Sequence, residues 1–585
     1  MKSNLQIIKT PDELREAAQR LSAEPFIGFD TETTGLSPHS SRIRLMQIAT
    51  PQASYVIDLF QFPANQLGPV LKVLAAERPV KIAHNAKFDA QFILKNFGVR
   101  LGCIFDTYLA SILVSAGQEG DRQNLEAVAQ RYLDIQLDKS QQMSNWAGPL
   151  SDAQLEYAAL DAQVVLPLRE KLDARIQELE LQRVAAIEFD LINTMAAMEL
   201  AGIYLDANCW RAQAARVQVE YDRVAANLKR ELSPPAPQMS LFETARNDIN
   251  LDSPAQIKEA LGKLGIKVES TREWMLHKLA AEHPVIERLL EYRGLSKSLS
   301  AYGLSMLEYI NPTTGRIHAN FRQIAAPTGR MGCTSPNLQQ IPHSREYREC
   351  FRAPEGRKFV IADFSQIEMR ILADFSEDEA LIAAFGSNAD LHKTTASQML
   401  GVPLDQVTPQ QRAQAKGLNY GLVYGMGAEG LSARINTTVA EAESLIKKYF
   451  AAYPGVARWL NNAAETTIKD GRARSAAGRL WIFGLDASDR TQLGQLRRLG
   501  KNAPIQGTAS DIFKRAMKLV DEALTGIDAQ IVHSIHDEVI VECPSEIAEA
   551  TTQKVSEAMI AGGKEFLTRV PVLVDAKILD NWVKD

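Results

Sequence analysis

Two stretches constrain this chain more than any others. Val360 to Arg370 reads VIADFSQIEMR: an apolar run leads into Asp363, and the pattern then turns polar while Ile367, Met369 and Ile371 keep an apolar rhythm. This is a buried strand that delivers a carboxylate to its end, followed by a helix. An acid placed there is costly unless it meets a cation or a metal, so Asp363 alone reads as a metal ligand or as a strand-end cap. Ile531 to Cys543 reads IVHSIHDEVIVEC, with apolar runs on both sides of His536, Asp537 and Glu538. That is a β-hairpin turning at its acids, and it supplies a second strand-end aspartate.

At 585 residues the chain exceeds one hydrophobic core and suggests roughly three to five domains. With 45% hydrophobic and 23% charged residues it reads as an ordinary globular protein. No apolar run approaches a membrane span, and the start MKSNLQIIKTPDELR lacks a secretory core, so a cytoplasmic location is expected. Cys103, Cys209, Cys333, Cys350 and Cys543 show no C-x-x-C spacing, which argues against zinc or a disulfide framework; they are expected to be reduced. The net charge of −6 conceals a basic region: residues 410 to 520 hold 17 Lys and Arg against 8 Asp and Glu. A polyanionic partner is therefore compatible with the acidic whole, since binding depends on local patches.

The first 170 residues or so alternate strands with helical stretches, as in an α/β layered domain. Phe26 to Asp30, RIRLMQIAT, Ser54 to Phe60 and Val80 to Asn85 are the predicted strands. Asp30 and Glu32 lie two apart on an extended segment and share a face. Asp89 follows the next strand, and Tyr157 and Asp161, four apart, share one side of a helix. Four carboxylates with no matching bases are unfavourable unless divalent cations bind them. The motifs DTETTGL, HNAKFD and Y-x-x-x-D, in this order, resemble those of the DEDD exonucleases in the variant whose last motif carries tyrosine. The resemblance implies two divalent metals (Mg²⁺, Mn²⁺ or Zn²⁺) held by Asp30, Glu32, Asp89 and Asp161, with Tyr157 orienting the attacking water. Asn85 and Leu36 would line the site.

Residues 171 to 232 are charged and periodic, a helical connector. The Pro cluster in ELSPPAPQMSLFETARND breaks it. Within that cluster Gln238, Leu241 and Phe242 match the Q-x-x-L-F pattern by which bacterial polymerases and repair proteins dock on a sliding clamp. The competing reading is that Leu241 and Phe242 simply tuck onto a helix. From Asn250 to Tyr309 the pattern is helical again, with Lys and Arg suited to duplex phosphates.

The remaining motifs resemble those of family A DNA polymerases. APTGRMGCTSPNLQQIP (Ala326 to Pro342) is similar to the family's T-G-R-L-S-S…P-N-L-Q-N-I-P segment, with Met331, Gly332, Cys333 and Gln340 as departures. By that match Arg330 enters the minor groove at the primer terminus, with Asn337 and Gln339 nearby. VIADFSQIEMR resembles motif A, with Phe364 for Tyr and Met369 for Leu. Asp363 would bind both magnesium ions, Phe364 would lend a carbonyl, and Gln366 and Glu368 would face the nucleotide, Glu368 excluding a 2′-hydroxyl.

In QQRAQAKGLNYGLVYG the spacing puts Arg412, Lys416, Tyr420 and Tyr424 on one helical face. The stretch looks like the fingers O helix. Cations there can clamp a triphosphate, and an aromatic can stack on base or sugar. Lys416 would be the general acid for pyrophosphate, and His392 in DLHK would help with the phosphates. Tyrosine at position 420, where the family has Phe or Tyr, implies ready acceptance of chain-terminating dideoxynucleotides. Arg498, Asn502 and Gln506, four apart, match the family's template-contacting helix, with Lys514 and Arg515 available to phosphates. IVHSIHDEVIVEC resembles motif C: Asp537 would complete the metal pair with Glu538 beside it, and His536 would contact DNA.

The resemblance spans residues 25 to 585. It implies an α/β and α+β multidomain fold: a ribonuclease H-like exonuclease domain (1–175), a helical connector and thumb (176–320), and a palm with antiparallel sheet plus fingers (321–585, fingers about 376–500). The implied activity is template-directed DNA synthesis from dNTPs by two-metal transfer, with 3′–5′ proofreading, in DNA replication or repair. Two Mg²⁺ would serve the polymerase site. No 5′ nuclease domain and no flap cleavage are expected, and the enzyme is expected to be a nucleoid-associated monomer. The rivals are a ribonuclease D-like exonuclease with a nucleic-acid-binding extension, and a non-catalytic DNA-binding platform. The O helix and Asp537 count against the first, and the second would require missing metal ligands, of which neither set lacks any.

Overall fold

The computed structural model describes residues 4–118, 122–142, 144–233, 249–386, 390–423 and 425–584. Contacts divide the chain into two units: Met1–Gly202, Ala319–Gln339 and Glu355–Leu579 form one, and Ile203–His318, Gln340–Pro354 and Asp580–Asp585 the other.

The larger unit opens on a six-stranded mixed sheet. Its strands are β1 (Asn4–Ile8), β2 (Phe26–Thr33), β3 (Ile43–Ala49), β4 (Ala53–Asp58), β5 (Val80–Ala83) and β6 (Ile104–Asp106), in the order β1-β4-β3-β2-β5-β6. Only β3 runs antiparallel to its neighbours. The four predicted strands are present. β1 and β6, which complete the edges, are short and give little apolar alternation to read.

Along β2 the side chains of Ile27 and Phe29 are fully buried, and the alternation turns Asp30 and Glu32 to the other face. Helix α1 (Ala86–Phe97) follows β5, and the 27-residue α2 (Asp152–Glu178) lies on the Asp30 face of β2. A capping box of Ser151 and Gln154 starts α2. The approach is close: a Cβ added at Gly28 would lie 1.9 Å from the Ala162 carbonyl oxygen. Glycine at 28 is thus what lets α2 bring Asp161 down onto the strand that carries the acids.

A second sheet in the same unit is four-stranded and antiparallel: β7 (Arg357–Phe364), β8 (Gln530–Ile535), β9 (Glu538–Pro544) and β10 (Val574–Leu579), ordered β8-β9-β7-β10. Phe359, Val360, Ile361 and Ala362 of the central β7 are completely buried, the continuous apolar run expected of a strand covered on both faces. The other helices that matter for function are α3 (Ile367–Ser376), α4 (Leu391–Leu400), α5 (Pro409–Val423) and the 34-residue α6 (Arg490–Ala523).

The smaller unit is helical. Helices Ala207–Leu232, Pro254–Lys263, Glu273–Ala280 and Pro284–Tyr302 enclose a core that includes Leu228, Leu261, Leu276 and Leu289. One expectation is corrected here: Cys209 and Cys350 are joined in a disulfide, with Cα atoms 5.3 Å apart. They are 141 residues apart in sequence, and only the return of the chain past the first of these helices brings them together, so spacing arithmetic could not pair them. Cys103, Cys333 and Cys543 are free thiols. Residues 238–242, with Gln238, Leu241 and Phe242 of the clamp-like pattern, and Tyr424 lie outside the described residues. Among the described residues no helix is long and apolar enough to cross a membrane.

Candidate active sites

The first site forms where α2 crosses β2. Asp30, Glu32 and Asp161 each place a carboxylate oxygen within 4.8 Å of the others. Burial, and then the charges of Asp89, Glu32 and Asp161, push the Asp30 carboxyl well above its ordinary range. Burial and then Asp161 raise Glu32 to about 8, and burial raises Asp89 to about 7. Converging acids that resist ionisation on their own, with all-oxygen donors, fit a hard divalent cation. Asp89 stands outside the three-carboxylate group: on the first turn of α1, its Oδ1 accepts a 2.6 Å hydrogen bond from Thr31 Oγ1.

Tyr157 lies one turn before Asp161 on α2, and burial followed by Asp161 raises its pKa. Asn85 is the left-handed residue (φ 63°) just before α1, and its N–H donates to the Asp106 carboxylate; Leu36 is 87% exposed. Sequence reasoning passed over Lys139. Its Nζ donates to both Asp161 oxygens, at 2.8 and 2.9 Å, and to the Tyr157 hydroxyl at 3.2 Å. A lone lysine in a polar loop has no spacing that marks it.

The second site forms at one end of the β7 sheet. Asp363 is directly opposite Glu538 of β9 and Asp575 of β10. Asp537 occupies the β8–β9 turn beside the left-handed His536 (φ 54°), and its carbonyl accepts the Phe364 N–H at 3.4 Å. The two strand-end aspartates are therefore on adjacent strands at the same sheet end. Gln366, left-handed (φ 56°), caps α3, and Glu368 in its first turn accepts a 2.7 Å hydrogen bond from Arg330.

Helix α5 turns Ala415, Leu418 and Asn419 inward, which leaves Lys416 exposed and Arg412 and Tyr420 half-buried on the other side. Burial, and then the charges of Glu368, Asp537 and Asp363, raise the Tyr420 pKa, so that end of α5 faces the acids. Arg412 pairs with Asp390, the N-cap of α4, at 2.7 Å. His392 is 5% exposed, with Nδ1 3.0 Å from the Asn419 amide, and burial lowers its pKa; it stands there as a neutral ring.

On α6, Arg498 is exposed and Asn502 and Gln506 are half-buried along one side. Asn337 is exposed and accepts the Gln339 N–H at 3.2 Å. Lys514 is a correction: it is fully buried and ion-paired with Glu188, so no phosphate can reach it. Its partner lies 326 residues upstream and is invisible to a local reading. Arg515 is held at 2.9 Å by Glu565.

Residues 5–177 match the family model described as 3′-5′ exonuclease, and residues 220–584 the model described as DNA polymerase family A. The chain is 32% identical over 602 residues to the DNA polymerase I of Aquifex aeolicus, covering 98% of each. It is 32% identical over 610 residues to the DNA polymerase I of Pseudomonas aeruginosa, covering 96% of this chain and 64% of that one. Among solved structures, the POL domain of Pol1 from M. smegmatis in complex with DNA primer-template and dNTP superposes with a TM-score of 0.85 at 28% identity, covering 98% of this chain and 99% of that one. A polymerase model over residues 220–584 leaves no place for a passive nucleic-acid-binding extension there. The chain belongs to DNA polymerase family A and carries a 3′–5′ exonuclease domain.

Proposed function

We propose that the chain extends a primer on a DNA template from dNTPs at the Asp363–Asp537 site, and removes misincorporated 3′ nucleotides at the Asp30–Glu32–Asp161 site. The observation that carries the reading is the delivery of Asp363 and Asp537 to one sheet end facing Tyr420 of α5. Divalent cations, two Mg²⁺ in the first site and two ions in the second, would lower the pKa of the attacking hydroxyl and neutralise developing charge.

Asp363, Asp537 and the Phe364 carbonyl would hold the polymerase ions, and Glu538 supports Asp363 from the neighbouring strand. Lys416 and Arg412 take the triphosphate; Arg412 first gives up Asp390, and Lys416 protonates the leaving pyrophosphate. His392, held neutral by burial, donates a hydrogen bond rather than a charge. Tyr420 stacks against the incoming nucleotide, leaving discrimination against chain terminators weak. Glu368, released by Arg330 as that side chain enters the minor groove, closes the space a 2′-hydroxyl would need. Minor-groove acceptors are nearly degenerate among correct pairs, so Arg330 tests pair shape without reading sequence. Asn337, Gln339, Arg498, Asn502, Gln506 and His536 line the template-primer. In the exonuclease Asp30, Glu32, Asp89 and Asp161 would hold the divalent ions, with Thr31 donating to Asp89, and Tyr157 would orient the attacking water.

The division into exonuclease (1–175), connector and thumb (176–320), and palm and fingers (321–585) belongs to this reading. So do a monomeric, nucleoid-associated enzyme and clamp docking through residues 238–242. A labelled primer-template incubated in Mg²⁺ with and without dNTPs tests the function. Extension with dNTPs and shortening without them are expected; a primer left unchanged in both arms contradicts it.

A further inference from the structure

Asp30, Glu32 and Asp161 converge at the exonuclease site, and the ammonium of Lys139 meets them there. Lys139 spends its three N–H donors on the two oxygens of Asp161 and the hydroxyl of Tyr157. Its Nζ also lies 5.0 Å from the centre of the Tyr157 ring, within cation–π range. Its side chain is 18% exposed against 9% for Asp161, so the pair is largely shielded from solvent. The stem is therefore packed at the site while the head occupies a position a divalent ion needs. A cation bound by Asp161 and an ammonium on the same two oxygens repel each other and compete for the same lone pairs. Lysine, a point charge on a flexible four-carbon stem, can release a carboxylate and keep a hydroxyl partner. A hydroxyl that accepts from an ammonium is also a better donor of its own proton, which is what orienting a water requires.

We propose that Lys139 is a positioning residue of the exonuclease that keeps a metal's place: it holds Asp161 against the other acids until a divalent cation displaces it, and then stays on the Tyr157 hydroxyl. The inference rests on the exonuclease reading above. It predicts a split that a structural lysine does not produce, because removing the ammonium favours metal binding while impairing excision.

The test uses the full chain carrying Asp363→Ala to silence the polymerase ions, with Mn²⁺ binding followed by calorimetry without DNA. Lys139→Met is expected to bind Mn²⁺ about five-fold more tightly or better, as the repulsion is removed. At saturating Mg²⁺ it is expected to excise a mispaired 3′ nucleotide with kcat about ten-fold lower and KM for the primer within about two-fold. Lys139→Arg should restore most of the rate, and melting temperature serves as the check on folding. Unchanged or weaker Mn²⁺ affinity, or wild-type excision, in a folded Lys139→Met chain overturns the proposal. Asp30→Ala separates the two levels: if it keeps both Mn²⁺ binding and excision, the reading of the site itself fails, whatever Lys139 does.

Discussion

Glu188 offers the most stringent test of how the larger unit is held together. Its carboxylate is completely buried and meets two buried cations, Arg479 and Lys514, while Asp511 takes the other side of Arg479. Gln323 donates to it as well, at 3.0 Å. Two acids against two bases make this interior network neutral. Glu188→Gln keeps the shape and leaves one uncompensated positive charge, a change that costs about 3–5 kcal/mol when one member of a buried pair is removed.

Lys514 sets the pH dependence. Burial, opposed by Glu188, brings its pKa down to about 8 from the ordinary 10.5. A depressed lysine pKa means that the folded state releases its proton first, so stability rises as pH climbs from about 8 to 10.5. Without Glu188 the folded pKa drops further, so the loss is largest near pH 7 and shrinks by pH 9 as the ammonium is neutralised. Amide hydrogen exchange over residues 182–190, 475–481 and 508–515 reads the local opening free energy. A variant within about 1 kcal/mol of wild type at pH 7, or a deficit that grows towards pH 9, would refute the reasoning.

Gly329 adopts a positive φ of 81°, and a Cβ there would lie 2.5 Å from the Arg479 guanidinium carbon. Gly329→Ala should therefore disturb Arg330 next to it and slow primer extension by about ten-fold or more while sparing excision, measured on one primer-template; equal loss of both contradicts this. The metal-free acids give a second expectation. Glu32 and Asp89 titrate near 8 and 7, so their contribution to folding is complete below the ordinary carboxylate range and lost as pH rises towards 8. The rise in melting temperature caused by Mg²⁺ should thus be larger at pH 8 than at pH 6, and a shift that shrinks with pH contradicts it. Finally, chain purified without reductant and denatured in guanidinium should show three thiols of its five cysteines, and five would rule out the Cys209–Cys350 bond.

What could be read from the sequence was whatever lies close along it. Asp30 and Glu32 share a face because a strand alternates, and Tyr157 precedes Asp161 by one helical turn. The Arg412–Lys416–Tyr420 stripe follows from helical spacing, and Asp537 had to lie at a hairpin turn because apolar runs flank it. What escaped was fixed by long-range packing. Lys514 looked like a surface cation because its partner, Glu188, comes from a distant helix. Lys139 carried no periodic signal, and its contacts with Asp161 and Tyr157 are visible only once α2 and its loop meet. The hydrogen bond that Thr31 donates to Asp89 was equally hidden, because it joins two elements 58 residues apart. His392 was read only as a helper for the phosphates; its burial beside Asn419, which makes the neutral ring the stable form, depends on packing between two helices.

The central claim is that one chain carries two separable metal chemistries. Asp363→Ala and the double variant Asp30→Ala, Glu32→Ala, assayed side by side on a primer with a mispaired 3′ end, test it most directly. Asp363→Ala should lose dNTP-dependent extension and still trim the mispaired end, while the double variant should extend a paired primer and leave the mispaired end intact. Full extension by Asp363→Ala, or continued trimming by the double variant, would contradict the account.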